Sequence, residues 1–322
     1  MIAHSGEYRK KNGQRGYVMM NNFIFENKTK VYFGKGGVKE YLGGLLANFG
    51  ETVMLAYGGG SIKCNGVYDE IMGILNAAGK RVVEFSGIMS NPTYQKVQDG
   101  AKLARENHVD LILAVGGGSV SDCCKVISGA FDTLSHAMET YFGKPDENNL
   151  SDDINEAAMR SVIRNIRILL TDPENYDARS ELAWASAMAE NGVLKIGKVT
   201  DFQAHQIEHQ LGAYTNCNHG AGLAVIHPVL YRHIYKSGAA RFTRWAQNVW
   251  GIAPKGSDGE TAAGIDALAA FIKEIGLPTS FAELGIPADT DFRAVADSTN
   301  VTAGCCKKLT RDEICEILQE CL

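Results

Sequence analysis

The local sequence pattern changes once along this chain, and that change constrains the fold more than any other feature. From Asn22 onward, short apolar runs alternate with helical patterns; the runs are KVYFG, TVMLAYG, RVVEF and DLILAVG. Strands that alternate with helices predict a parallel sheet covered by helices. After about residue 131 such runs end, and only long helical patterns remain. We predict an α/β domain with a parallel sheet over residues 22–130 and an all-helical domain over residues 131–322.

Composition supports two folded domains and argues against some classes of partner. The chain has 322 residues, 45% hydrophobic and 21% charged, which is enough to build two ordinary cores. A net charge of -5 disfavours nucleic acid as a partner. No apolar run is long enough for a membrane span, and the N-terminus lacks the apolar core of a signal peptide. Residues 1–21 are polar and basic without periodicity, so we predict a disordered extension there.

The eight cysteines predict a reducing environment. Two pairs are adjacent in sequence, Cys123 with Cys124 and Cys305 with Cys306, and no CxxC spacing occurs. Zinc-finger or redox chemistry is therefore not indicated. Together with the absence of a leader pattern, this predicts a cytoplasmic protein.

Two segments far apart in sequence hold five side chains that are compatible with a metal ion. FDTLSHAMETYF contains Asp132 and His136, and DFQAHQIEHQLGAYTNCNHGAGL contains His205, His209 and His219. Residues four apart share one helix face, so each pair can point at one ion. A histidine pair alone is weak evidence, because histidines also serve as packing residues. Four of the eight histidines fall here, however, and a nitrogen-rich set with one carboxylate favours Fe(II) or Zn(II) over Ca(II) or Mg(II).

Two glycine clusters follow apolar runs in the first half. In LILAVGGGSVSD, Gly116, Gly117, Gly118 and Ser119 precede a predicted helix, whose N-terminus suits a pyrophosphate. The spacing matches neither GxGxxG nor the Walker pattern, and a tight strand-to-helix connection is an equally good interpretation. The other cluster is MLAYGGGSIK, with Gly58, Gly59, Gly60, Ser61 and Lys63. No acid follows that strand to accept a ribose 2′-hydroxyl, which favours NADP(H) over NAD(H).

These motifs, in this order, resemble the iron-containing alcohol dehydrogenase family, and within it the NADPH-linked butanol dehydrogenases. The resemblance runs from about Asn22 to Leu322. It implies that residues 22–130 form an α/β dinucleotide-binding domain, here incomplete because its parallel sheet is shortened and lacks strands, and that residues 131–322 form the all-helical metal-binding domain. It implies a divalent ion, Fe(II) before Zn(II), and a small alcohol or aldehyde as substrate, and it is compatible with a homodimer. By matching positions, the implied metal ligands are Asp132, His136, His205 and His219. The implied cofactor residues are Gly58, Gly59, Gly60 and Ser61 at the adenosine end, and Gly116, Gly117, Gly118, Ser119 and Asp122 at the pyrophosphate.

His209 is left as the non-ligand histidine near the nicotinamide. The resemblance implies a hydride-transfer site in which His209 passes a proton outward. The alternative for His209 is a packing residue beside the ligands, since one nearby imidazole does not establish acid/base work. A metal hydrolase is disfavoured, because HQIEH lacks the HExxH glutamate.

The chain departs from the family pattern at one place. VISGA runs directly into FDTLSHA, whereas the family has a long stretch there that includes a cofactor-contacting loop resembling TLPATGSE. One helix from Ser119 to Tyr141 would place Asp132 about 20 Å from its start, at ~1.5 Å per residue, unless Gly129 breaks it. The alternative function is therefore a degenerate, non-catalytic family member with an incomplete cofactor site, unless the gap is a gene-model artefact.

Overall fold

A computed structural model describes residues 24–26, 29–88, 94–116, 123–144, 147–200, 202–253, 258–301 and 306–322. The predicted extension over residues 1–21 lies outside these ranges. The described chain divides into two units: residues 28–126 form one, and residues 127–322 together with residues 24–26 form the other. The sequence-based boundary at residue 130 stays a prediction of domain organisation.

The first unit contains a parallel sheet, as predicted. Its strands are β1 (Thr52–Tyr57), β2 (Arg81–Phe85) and β3 (Leu111–Val115), in the order β2-β1-β3. The prediction of a further strand at KVYFG is wrong. Residues 30–33 have no regular structure, and Val31, Tyr32 and Phe33 are exposed. In the described chain this run has no neighbouring strand to pair with, and a strand is stable only when paired.

The central strand β1 forms the core of this unit. All six of its residues are buried, because β2 and β3 flank both edges. The core also includes residues from the helices beside the sheet, among them Leu46 and Leu75. On β2, the Phe85 ring lies against Gly100, where a Cβ atom would come within 2.9 Å of it. The helices of this unit are α1 (Gly37–Leu46), α2 (Ser61–Cys64), α3 (Val67–Ala77) and α4 (Tyr94–Glu106).

Strand β3 leaves part of the sheet uncovered. It pairs with β1 only, so among the described residues its other edge has no partner. Along β3 partly buried and exposed residues alternate, and Ile112 is 60% exposed. Parallel sheets usually have both faces covered. This sheet therefore presents an apolar side chain and an open edge where the sequence predicted missing strands.

The second unit is all helical, as predicted. Its α-helices are α5 (Cys123–Tyr141), α6 (Leu150–Thr171), α7 (Tyr176–Glu190), α8 (Gln203–Thr215), α9 (His219–Ile234), α10 (Ala239–Asn248), α11 (Asp258–Glu274), α12 (Phe292–Ser298) and α13 (Arg311–Glu320). Helix α5 is continuous through Gly129, so this glycine does not break it. None of the helices in the described ranges combines the length and apolar character that a bilayer crossing requires.

A buried ion cluster holds the end of α5 in place. Asp152, near the start of α6, pairs with Lys198 at 2.5 Å and with Arg241 of α10 at 2.8 Å, and all three side chains are almost fully buried. The Lys198 ammonium also donates to the carbonyl of Tyr141, the last residue of α5. Buried charges persist only where they are paired and hydrogen-bonded. The cluster therefore ties α5, α6 and α10 together at one point.

We expect the sheet to tolerate change at its open edge but not at its centre. Leu55→Ala in β1 should lower the free energy of unfolding of this unit by about 3 kcal/mol, because it removes a fully buried side chain. Ile112→Thr in β3 should change it by less than about 0.5 kcal/mol. Urea titrations followed by circular dichroism measure both, and equal losses in the two variants would contradict this account of the core.

Candidate metal centre

Helix α5 places the first two predicted ligands on one face. Asp132 and His136 are one helical turn apart, while Phe131, Leu134 and Met138 on the same helix are fully buried. The apolar positions thus fix the rotation of α5 in the core. The two polar side chains are partly buried, with 29% and 18% of their side-chain surface exposed.

Helices α8 and α9 supply the remaining histidines. His205 lies in the first turn of α8 and is buried, and His209 follows one turn later. His219 is the first residue of α9, whose N-terminus is capped by the Asn218 side chain. The connection between the helices is short and contains Asn216 in the left-handed conformation, with φ of 55°. The turn brings His219 back beside His205, and their ring centroids are 5.3 Å apart.

One oxygen and three nitrogens converge on a single point. Asp132 Oδ1 lies 3.6 Å from Nε2 of His136, 3.3 Å from Nε2 of His205 and 3.5 Å from Nε2 of His219. The Nε2 atoms of His136 and His205 are 3.0 Å apart. The structure therefore brings together all four residues that the resemblance implied as ligands.

Each of the three imidazoles has a carboxylate behind it. The Nδ1 atom of His136 lies 2.9 Å from Glu190, that of His205 contacts Glu139, and that of His219 contacts Glu208. Glu139 and Glu208 are almost fully buried, whereas Glu190 is half exposed. A carboxylate that accepts a hydrogen bond from Nδ1 fixes the tautomer and leaves the Nε2 lone pair free for a metal ion.

The geometry fits a divalent transition-metal ion. Four ligands at about 2.1 Å in a tetrahedral arrangement lie about 3.4 Å from one another. The three separations from Asp132 Oδ1 and the one between His136 and His205 are 3.0–3.6 Å. The ligand atoms of Asp132, His205 and His219 all lie within 4.8 Å of one another. Asp132 Oδ1 is buried and has no hydrogen-bond partner of good geometry in the described chain. Lone pairs that face each other repel unless a proton or a cation lies between them. Asp132, His136, His205 and His219 are thus suited to hold Fe(II) or Zn(II).

In the metal-free chain, protons take the place of the cation. Burial alone would lower the pKa of His205, but the neighbouring carboxylates of Asp132 and Glu139 outweigh it and raise that pKa to about 9. Burial would also lower the pKa of His219, but the carboxylates of Asp132 and Glu208 raise it to about 10. Burial would raise the pKa of Asp132, but the adjacent rings of His205 and His219 hold it well below its usual range. The cluster therefore keeps its charges paired without a metal ion.

His209 lies beside this cluster and differs from it electrostatically. Its ring stacks on His219, with centroids 5.2 Å apart and planes 23° apart, and it is exposed. Burial of part of the ring lowers the pKa of His209, and the neighbouring charges of His219 and His205 lower it further. At neutral pH, His209 is therefore a neutral imidazole with access to solvent.

The glycine turns lie in the first unit, at one edge of the sheet. Tyr57 pairs with Val115, so Gly58 and Gly116 both follow the carboxyl ends of neighbouring parallel strands. Gly58 allows a close backbone approach, since a Cβ atom there would lie 3.1 Å from the Ile88 carbonyl oxygen. This edge is where open α/β sheets bind their ligands. Of the other predicted cofactor residues, Gly59 and Gly60 complete the first turn, while Gly117, Gly118, Ser119, Asp122 and the Ser61 side chain lie outside the described part.

Sequence reasoning missed the three carboxylates behind the imidazoles. A periodicity signal existed for two of them: Glu139 follows His136 by three residues, and Glu208 follows His205 by three, so each shares a helix face with a ligand. Glu190 has no such relation, since it belongs to α7 and meets His136 only through the tertiary fold.

Comparison with known proteins decides the family. A family model described as "Fe-containing alcohol dehydrogenase family, C-terminal" matches residues 126–322, and one described as "Iron-containing alcohol dehydrogenase" matches residues 28–158. The chain belongs to the iron-containing alcohol dehydrogenase family. The first model alone spans more than half of the chain, and it includes every side chain of the candidate metal centre.

Relatives with known names support this iron-containing alcohol dehydrogenase assignment. A probable NADH-dependent butanol dehydrogenase of Bacillus subtilis is 30% identical over 94% of this chain and 100% of its own length. An NADPH-dependent aldehyde reductase of Escherichia coli is 27% identical over 83% of this chain and 90% of its own length. The solved structure of an NADH-dependent butanol dehydrogenase A from Thermotoga maritima is 26% identical, with a TM-score of 0.88 over 95% of this chain and 100% of that one.

The alignment with the B. subtilis relative also shows that this family member is shortened. The alignment is 389 positions long, yet it takes in 94% of 322 residues, about 303, so about 86 positions have no residue of this chain. A gap of this size agrees with the expected missing stretch between the GGGS turn and the Asp132 segment.

We expect metal binding to release protons. Because the pKa values of His205 and His219 are about 9 and about 10, both rings are protonated at pH 7.5 and must lose a proton to ligate. Zn(II) should therefore displace about two protons per ion at pH 7.5, and its affinity should rise as the pH approaches 10. Calorimetric titration in two buffers of different ionisation enthalpy measures the release.

The matched variant for this titration is His219→Gln. It should release about one proton fewer per ion, since one protonated ring is gone. A Zn(II) affinity that does not change between pH 6.5 and 9 would contradict the proton account of the metal-free cluster.

Proposed function

We propose that this protein is a metal-dependent, NAD(P)-linked alcohol dehydrogenase or aldehyde reductase that acts on small primary alcohols or aldehydes. The reaction class is hydride transfer between the alcohol carbon and the nicotinamide. The observation that supports it most is the convergence of Asp132 Oδ1 with three imidazole Nε2 atoms, at 3.0–3.6 Å. The relatives named above are enzymes of this kind.

Fe(II) is the metal proposed first and Zn(II) second, since both suit three imidazoles and one carboxylate. When bound, the ion would supply Lewis acidity that lowers the pKa of an alcohol hydroxyl. Asp132, His136, His205 and His219 would hold it. Glu139 and Glu208 would keep the Nε2 lone pairs of His205 and His219 directed at the ion by accepting a hydrogen bond from Nδ1. Glu190 lies 2.9 Å from Nδ1 of His136.

His209 is the proposed proton carrier. Its lowered pKa leaves the ring neutral at pH 7, so a ring nitrogen can accept a proton. Its exposed position allows that proton to pass to water. A general base works best when it is deprotonated at the operating pH and within reach of the reacting group.

NADP(H) is the proposed nucleotide, in preference to NAD(H). An NAD site offers a carboxylate to the ribose 2′-hydroxyl. The acid on β2, Glu84, already accepts from the Tyr57 hydroxyl at 2.5 Å through one oxygen and from the Tyr68 hydroxyl at 2.7 Å through the other. Lys63, two residues after the Gly58–Ser61 turn, is half exposed and lies 3.6 Å from Glu84, and its ammonium would turn to a 2′-phosphate.

The cytoplasm is the proposed location. Five cysteines, Cys64, Cys217, Cys306, Cys315 and Cys321, are free thiols, and disulfides persist mainly in oxidising compartments. A homodimer is proposed from the family resemblance, and light scattering on the purified chain measures it.

The activity is tested by loading purified protein with Fe(II) under anaerobic conditions, or with Zn(II), and following NADPH consumption with butanal. We expect turnover with metal, none after chelation, and a higher kcat/KM for NADPH than for NADH. Asp132→Asn should lose metal and turnover together, because the only anionic ligand is removed. Metal uptake without turnover for any aldehyde would instead favour the alternative, a non-catalytic family member.

The role of His209 is tested by His209→Gln. If His209 carries the proton, kcat should fall by about 10²-fold while the metal content stays the same, because the variant removes the titratable ring but no ligand. The same substitution at His205 should abolish metal binding and serves as the contrast. An unchanged kcat and pH profile in His209→Gln would leave His209 as a packing residue.

A further inference from the structure

Helix α8 begins without a cap of its own. The residue before it, Phe202, has the left-handed φ of 59°, and no side chain at that position accepts a hydrogen bond from the first turn. This conformation is strained for a residue other than glycine. The first amides of a helix have no partner within the helix and need acceptors from elsewhere.

Glu139 supplies those acceptors from another helix. Its Oε1 accepts from the backbone N–H of Ala204 at 2.6 Å, and its Oε2 accepts from that of His205 at 3.2 Å. Glu139 belongs to α5, 65 residues earlier in the chain. A carboxylate at a helix N-terminus is also favoured by the helix dipole.

The same carboxylate holds the ring of His205. Its Oε2 atom contacts His205 Nδ1, so one side chain, 3% exposed, serves three N–H groups. Phe202 packs against the same histidines: its ring lies edge-on to His205 and to His136, with centroids 5.2 and 5.3 Å away. The backbone start of α8 and the orientation of His205 are thus set by one group.

We propose that Glu139 is a positioning residue that links cation binding to the order of the first turn of α8. This inference rests on the proposed metal site. A cation that takes the Nε2 lone pair of His205 would fix the ring from that side, and the Nδ1–H of the fixed ring donates to Glu139. The fixed ring in turn fixes the Glu139 carboxylate, which accepts from the backbone amides of Ala204 and His205. By reciprocity, a well-formed first turn raises the affinity for the cation.

Glu190 offers the matched comparison. It also contacts a ligand ring, Nδ1 of His136 at 2.9 Å, but it is half exposed and meets no helix N-terminus in the described chain. Replacing it should weaken cation binding without loosening α8. Helix α13 provides an internal reference, because its own Thr310 and Glu313 form its capping box.

The test compares Glu139→Gln with Glu190→Gln by Zn(II) titration and by hydrogen exchange of the amides at 204 and 205. Glutamine keeps the size but loses the charge and one acceptor oxygen. In Glu139→Gln we expect Zn(II) to bind at least about 10-fold more weakly, and the two amides of the metal-free protein to exchange at least about 10-fold faster than in the parent protein. In Glu190→Gln the exchange at these amides should stay unchanged, and in both variants α13 should exchange as before.

A second measurement needs no variant and decides the matter if Glu139→Gln does not fold. Saturating the unaltered chain with Zn(II) should slow hydrogen exchange of the amides at 204 and 205 more than it slows exchange of the amides in α13. If Zn(II) saturates the protein without slowing exchange at these two amides, the proposal is overturned. It is also overturned if Glu139→Gln exchanges faster at these amides but binds Zn(II) with unchanged affinity, because Glu139 would then cap α8 without affecting the cation site. If the protein takes up neither Zn(II) nor Fe(II), the proposed metal function is refuted. Amide exchange at 204 and 205 in metal-free Glu139→Gln then still shows whether Glu139 caps α8.

Discussion

Mutual repulsion among electron pairs dominates the centre of the helical unit. Asp132 Oδ1 lies within 3.6 Å of the Nε2 atoms of three histidines, and two of those Nε2 atoms are 3.0 Å apart. Lone pairs this close need a positive charge between them. In the metal-free chain, raised pKa values of His205 and His219 provide that charge as protons. The surrounding packing of α5, α8 and α9 is compatible with either occupant, which makes the site a place where protons and a divalent ion compete.

The rigidity of the site comes from groups that do not bind the ion. The carboxylates of Glu139, Glu190 and Glu208 orient the rings from behind. Further away, Lys198 of the Asp152 ion cluster donates to the carbonyl of Tyr141, so a shift of α5 along its axis would break this hydrogen bond. Such supports explain how ligands from three helices stay within a few tenths of an ångström of coordination distance.

Local spacing predicted what lies on one helix and failed where tertiary contacts decide. The i,i+4 spacing of Asp132 and His136 correctly indicated a shared face, and alternation of strand and helix patterns correctly indicated a parallel sheet. Glu190 was out of reach of such reasoning, because only the tertiary fold brings α7 to His136. The run KVYFG looked like a strand because apolar composition signals extended structure without showing whether a partner strand exists. Gly129 does not interrupt α5, since packing along a 19-residue helix outweighs a cost of about 1 kcal/mol.

The ligands of the candidate centre span residues 132 to 219, so the coordination sphere closes a chain loop of 87 residues that includes all of α6 and α7. The four side chains come together only after those helices have packed, so a cation would enter late in the folding of the helical unit. An ion held by all four would cross-link distant points of the chain. Because such an ion would bind the folded chain and not the unfolded one, its supply would set the fraction of folded protein.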